Sequence, residues 1–260
     1  MKPDGMHIPV MYPGVHQTTL ARHVSRCMIS VNILIRRVSD FEVGDWIMDS
    51  GAFTRISTGK DHLEPGMYAE IAHRWHGCGN LQAVVSQDWM CEPFVLAVTG
   101  GTVQRHQDQT TERYLDLRTR IDTADGPYLM PVLQGYTPEQ YAAHARDLSP
   151  FIGHNAWVGV GSVCKRQGRP DSLAAVLEAI HDVRPDWRLH GFGVKSTSLR
   201  SSRVCDRLAT VDSMAWSYAA RMQRLASGEG PSPNSAEALL GWMAKITNIR
   251  PDGHRQQTLT

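Results

Sequence analysis

Segments rich in Val, Ile, Leu and Met recur at residues 8–12, 27–35, 46–49, 81–87, 128–134, 156–161, 187–194 and 208–215. Each reads as a strand, because short apolar runs bounded by turn residues are what a parallel strand covered on both faces requires. Between several of them apolar positions fall at helical spacing, most clearly over 138–148 and 171–183. Thr137 before Pro138 gives an N-cap with proline at the first helical position, and Asp171 reads as the cap of the second helix. A further helix is predicted near 235–246, and the polar tail from about residue 248 is expected to fray. Strand and helix alternating eight times predict an α/β fold, a single (β/α)8 TIM barrel over residues 1–260.

Composition narrows the function classes. A chain of 260 residues can bury one large core, and 42% hydrophobic with 20% charged residues excludes extended disorder. The apolar runs are far shorter than the ~20 residues that cross a bilayer. The N-terminus carries no apolar signal core, so no membrane partner and a cytoplasmic location are expected. Cys27, Cys78, Cys91, Cys164 and Cys205 are odd in number and scattered, which predicts reduced thiols. His73, His76 and Cys78 fall short of the four ligands that zinc normally takes, so no metal and no cofactor are expected. A net charge of +1 gives no global attraction to nucleic acid, but arginines gather at Arg166 and Arg169 and again at Arg200 and Arg203. Guanidinium forks suit phosphate, which makes these four the candidate nucleic-acid contacts, against the plainer reading of a solvated surface.

Three apolar runs end at or near a carboxylate: Asp49 in Asp-Ser-Gly-Ala-Phe, Asp88 in Ser-Gln-Asp-Trp-Met-Cys-Glu-Pro, and Asp212 in Val-Asp-Ser-Met. In a parallel barrel those positions meet at one rim, where catalytic groups stand. The plainer reading makes Asp49 a loop cap and Asp88 a helix N-cap. Trp89 offers an aromatic face beside Asp88, Gln134 and Gly135 bring an amide and bare backbone, and Gly161 and Ser162 do the same. Lys195, if buried, needs an acidic partner and is suited to a carboxylate or phosphate. His106, on a loop or helix start, reads as structural. Trp216 serves stacking or core filling equally well. Carboxylates buried together raise at least one pKa, so that one can hold a proton near neutral pH.

These motifs in order, with Gln87-Asp88, Leu133-Gln134-Gly135, Gly159-Val-Gly161 and Phe192-Gly-Val-Lys195 between Asp49 and Asp212, resemble the tRNA-guanine transglycosylase superfamily over roughly residues 10 to 220. The wording around Asp88, His190 and Asp212 is more similar to its short branch, found with bacterial and phage deazaguanine DNA-modification genes. The resemblance implies a TIM barrel that exchanges guanine in DNA for a 7-deazaguanine such as preQ0, with Asp212 as nucleophile and Asp49 as acid/base. It also implies that Asp88, Gln134, Gly135, Gly161 and Ser162 read the base. Classical members carry a Cys-x-Cys-x-x-Cys…His zinc site after the nucleophile. No cysteine follows Asp212 here, so that subdomain, and the tRNA docking linked to it, is not expected. Expected partners are DNA, the deazaguanine base and accessory DNA-modification proteins, in a host's cytoplasm if the gene is phage-borne. The alternatives are exchange on tRNA, a glycosidase in which water resolves the adduct, and a catalytically idle barrel that binds nucleic acid or a partner.

Overall fold

The computed structural model describes residues 7–121, 125–164 and 170–252. Its sheet contains β1 (Val10–Val15), β2 (Arg26–Ser30), β3 (Asp45–Asp49), β4 (Asn80–Val85), β5 (Leu129–Met130), β6 (Val132–Leu133), β7 (Trp157–Val160), β8 (Arg188–Gly191) and β9 (Leu208–Ser213). All pairings are parallel, in the order β5-β4-β3-β2-β1-β9-β8-β7-β6.

Strands β5 and β6 are two halves of the predicted 128–134 segment, divided at Pro131. Proline has no N–H to give, so the ladder is interrupted there. The carbonyls of this short stretch nevertheless serve both sides. Tyr128 and Met130 accept from Val84 N and Ser86 N, while Pro131 and Leu133 accept from Gly159 N and Gly161 N. Residues 128–133 thus join the two ends of the ladder and close a TIM-barrel-like fold.

Alternation along the strands separates two apolar layers. Tyr12, Met28, Ile47, Ala83, Val85, Met130, Val132 and Trp157 pack together in the barrel interior. Their strand neighbours, among them Met11, Ile29, Trp46, Met48, Val84, Val158 and Val211, belong to the larger core beneath the helices. Two residues beyond Tyr12, Met28, Ile47 and Thr210, the same inward parity delivers Gly14, Ser30, Asp49 and Asp212 to the C-terminal mouth.

Several expected boundaries move. The 27–35 run is strand only to Ser30. Its hydroxyl then caps a short helix, Val31–Leu34, by accepting from Asn32 N at 3.4 Å, and Val31 and Leu34 are buried at helical spacing. The 81–87 run ends at Val85, which puts Asp88 on the following loop. Likewise the 208–215 run stops at Ser213, and helix Ala215–Ser227 follows. Helix Pro170–Val183 places Asp171 in its first turn, so Asp171 is not its cap. Helices Pro65–His76, Pro93–Thr99 and Val103–Ile121 add to the predicted set. In the segment expected to fray, Ile249 is buried and Asp252 N donates to Arg200 O at 2.7 Å.

Helix Pro138–Leu148 has the expected bounds, and its start is a full capping box. Gln140 N donates to Thr137 Oγ1, and the Gln140 side chain accepts from Thr137 N at 3.0 Å. Thr137→Ala should therefore destabilise the fold by about 1 kcal/mol. In urea unfolding this appears as a lower midpoint with an unchanged slope.

Candidate active site

The mouth encloses a cavity of about 480 Å³ whose lining includes Asp49, Ser50, Asp88, Glu92, Gly161, Ser162 and Asp212 among polar and small groups, and Met28, Phe53, Met90, Phe192 and Met214 among apolar ones. Strand ends from both halves of the ladder meet there, so residues far apart in sequence share one space.

Asp49 ends β3. Its Oδ2 accepts from Gly51 N at 3.0 Å, so the carboxylate does cap the following turn. Gly51 has φ +71°, and a Cβ there would overlap the Asn32 amide, whose Nδ2 donates to Gly51 O at 3.3 Å. Only glycine suits both conditions. Part of Asp49 opens onto the cavity, yet protein surrounds the carboxyl closely. Burial first, then the Asp212 charge, pushes its pKa up to about 6, against lowering by hydrogen bonds from Gly51 N and Ser30 and by His190.

Asp88 lies deeper and is no helix cap. Its Oδ1 accepts from Ser50 Oγ at 3.1 Å and its Oδ2 from Gln134 Nε2. Burial, followed by the Asp49 charge, lifts its pKa to about 7, with Glu92 adding to the rise and the Ser50 and Gln134 bonds opposing it. Gln134 Oε1 faces Ser162 Oγ at 2.7 Å, and Glu92 Oε2 faces the same hydroxyl at 2.7 Å. Cys91 N donates to that oxygen at 2.8 Å. One hydroxyl proton thus stands between two acceptors. Ser162 holds φ +54°, an unusual backbone for a residue with a Cβ.

Glycine 161 acts through absence. A Cβ there would overlap the Gln134 amide, and its N–H and C=O are already engaged, by Leu133 O at 2.9 Å and Tyr141 Oη at 2.6 Å. Its backbone is therefore structural, and its contribution is space. Gly135 packs against the Tyr141 ring and is outside the lining set.

Asp212, near the end of β9, accepts from Gly193 N at 2.8 Å on Oδ1. His190 Nε2 is 3.4 Å from the same oxygen, within ion-pair range but without an aligned hydrogen bond.

Other expected residues lie elsewhere. Trp89 is wedged between the His62 ring, at 4.6 Å between centroids, and the Arg113 guanidinium, at 5.2 Å, and its N donates to Thr110 Oγ1. Trp216 fills the core, donating to Gly14 O at 2.7 Å and stacking on His16. The apolar surface facing the cavity comes from Phe53, Phe192 and methionines instead. Lys195 is exposed, so it is not the buried cation that would need an acidic partner. Arg203 binds Glu178 and Asp171 on helix Pro170–Val183, Arg200 is exposed, and Arg166 and Arg169 lie outside the described residues. His106 is buried at the start of helix Val103–Ile121, bonded to Met90 O at 2.6 Å and Thr99 Oγ1 at 3.0 Å. His73 binds Arg120 O, and no group of three or more metal-capable side chains gathers among the described residues.

Glu92 and His190 escaped selection as site residues. Glu92 precedes a proline at a helix start, which reads as a cap, and His190 sits in an apolar strand. Parity was the available signal for His190, two residues before Phe192 and paired with Thr210 across the ladder.

Among the described residues no helix is long and apolar enough to cross a membrane. No curated protein matches the chain. A family model, DpdA (DeoxyPurine in DNA protein A), matches residues 9–255. The chain therefore belongs to the DpdA family of deazaguanine DNA transglycosylases, which is related to the tRNA-guanine transglycosylases.

Proposed function

We propose that this barrel removes guanine from a DNA nucleotide and installs a 7-deazaguanine, preQ0 or a close analogue, through a covalent sugar adduct on Asp212. The observation that carries the reading is the convergence of Asp49, Asp88 and Asp212 on one cavity of about 480 Å³, large enough to admit a purine. A base stacked in a duplex cannot reach it, so the target nucleotide must be extruded.

In the first half, an Asp212 oxygen attacks C1′ and the C1′–N9 bond breaks with its electron pair going to guanine. Asp49 supplies the proton that the departing base takes up. In the second half, Asp49 takes the N9 proton of the deazaguanine, N9 attacks C1′, and the C1′–O bond breaks to free the Asp212 carboxylate. A pKa raised to about 6 suits Asp49 to both directions near neutral pH. Two displacements at one carbon retain its configuration.

Asp88 and Gln134 are suited to the base edge, the carboxylate accepting from N1–H and the 2-amino group and the amide meeting O6. Ser162 and Glu92 continue this polar wall. Phe192 and Met90 offer apolar faces to the ring. Gly161 and Gly135 support the wall by keeping Gln134 and Tyr141 in place, and Trp89 backs the Asp88 loop. Outside the pocket, Arg200 is suited to flanking phosphates and Lys195 can join it, while Arg166 and Arg169, which lie outside the described residues, are proposed for the same role on their residue type alone. Arg203 would first have to exchange Glu178 for a phosphate. Accessory proteins that present the duplex suit a chain of such small net charge.

Purified protein given labelled preQ0 with duplex DNA or tRNA should label DNA. Asp212→Asn should abolish incorporation, and Asp49→Asn should lower it by about 10²–10⁴-fold. Labelling of tRNA alone overturns the choice of DNA, guanine release that leaves an abasic site without incorporation favours a glycosidase, and full activity in Asp212→Asn removes the nucleophile.

A pH dependence follows from Asp88. Its ionised form is the acceptor for the base, and its pKa stands at about 7. Base affinity measured by calorimetry should fall by about tenfold per pH unit as the pH drops below 7, because a proton must first leave. Asp88→Asn should bind more weakly and lose this slope.

A further inference from the structure

His190 is fully buried in the barrel, bonded on one side of its ring, while on the other side Nε2 has no hydrogen-bond partner and points toward Asp212. On the bonded side a chain of groups leads away. Trp157 Nε1 donates to Thr210 Oγ1 at 2.8 Å, and Thr210 Oγ1 lies 2.8 Å from His190 Nδ1. An indole N–H can only donate, so it occupies one lone pair of the threonine oxygen. One lone pair stays open, so the oxygen is able either to accept from Nδ1–H or to give its proton to Nδ1, and the second arrangement leaves the ring proton on Nε2. The other end of the ring selects that second arrangement. A bare Nε2 would turn its lone pair toward a carboxylate oxygen 3.4 Å away. A doubly protonated ring also carries a proton on Nε2, so in either form a donor faces Asp212 Oδ1.

That oxygen already accepts from Gly193 N at 2.8 Å. Gly193 is in the left-handed region, φ +63°, and a Cβ there would crowd Cys164. The turn from His190 to Gly193 therefore directs one backbone donor and one side-chain donor at a single oxygen of Asp212. Oδ2 is the remaining oxygen for C1′.

We infer that His190 is a positioning residue for Asp212, oriented by Thr210 and Trp157, and that its Nε2–H assists the step in which the sugar leaves the carboxylate. The inference rests on the covalent-adduct reading above. In the adduct, Oδ1 is an ester carbonyl and a weak acceptor. As the C1′–Oδ2 bond breaks and its electron pair returns to Asp212, Oδ1 gains charge and the waiting donor strengthens its hold. In the forward attack the same donor restrains the nucleophile, so its removal acts unequally on the two halves of the reaction.

The test is a pulse and chase. Enzyme is mixed with end-labelled duplex DNA without added base, the adduct is captured on a denaturing gel, and preQ0 is then added while the adduct decays. His190→Leu should slow decay by about 10–100-fold with formation changed by less than about threefold, so that adduct accumulates during turnover. His190→Gln, whose side-chain amide carries a donor to a similar position, should recover most of the decay rate. Thr210→Val keeps the shape and leaves His190 in place but removes the hydroxyl, and should give an intermediate decay. Equal slowing of formation and decay in His190→Leu, with no recovery in His190→Gln, overturns the inference. If His190→Leu does not fold, wild-type decay in Thr210→Val overturns it. A wild-type protein that forms no adduct, or an Asp212→Asn protein that still exchanges base, defeats the covalent reading itself. An Asp212-dependent adduct that His190→Leu resolves at the wild-type rate defeats only the role of His190.

Discussion

Closure of the parallel ladder is the constraint on which the rest of the molecule depends. In a parallel sheet every strand runs the same way, so closing it gathers all the C-terminal ends into one ring. Residues 128–133 complete that ring, with the carbonyls of Tyr128 and Met130 turned to the β4 side and those of Pro131 and Leu133 to the β7 side. Because side chains alternate along a strand, one inward parity decides which residues of each strand reach the mouth. Asp49 and Asp212 come from strands separated by β2 and β1, yet they share a cavity because both hold that parity.

Bringing carboxylates together has an electrostatic cost, and the surroundings show how it is met. Asp49, Asp88 and Asp212 each accept hydrogen bonds from short, well-fixed donors: Gly51 N, Ser50 with Gln134, and Gly193 N. For the first two, burial and mutual repulsion still win over those bonds, and protonation moves into the neutral range. Carboxyl groups shifted in this way gather at functional sites, where burial and like charge are arranged around them. The fold thus tolerates in its mouth an arrangement that would weaken an ordinary core.

Much of the barrel was legible because its signals are local. Apolar runs mark the strands, and Thr137-Pro138 marks a helix start with its exact partner, Gln140, three residues on. What failed was also local in cause. Val31 and Ile33 are β-branched and Leu34 is apolar, but the Ser30 hydroxyl offers a cap that turns the chain into a helix. Proline 131 inside a strand run was visible, yet whether it ends a strand or divides one depends on both neighbours. The three carboxylates could be chosen from strand ends and from family resemblance. Partners such as Glu92, meeting Ser162 some seventy positions away, depend on loops whose paths no periodicity records. Trp89, beside Asp88 in sequence, is held instead between the His62 ring and the Arg113 guanidinium, partners that no local pattern announces.

The pairing of β1 with β9 joins Val10 to Thr210 and Tyr12 to Asp212. The first strand has β2 beside it early, but about two hundred residues must be made before its other neighbour exists, and the segment that supplies that neighbour also carries the proposed nucleophile. An incomplete nascent chain therefore has an open edge on its first strand and lacks the carboxylate at 212. Closure of the scaffold and arrival of the proposed nucleophile at the mouth are thus a single late event in synthesis.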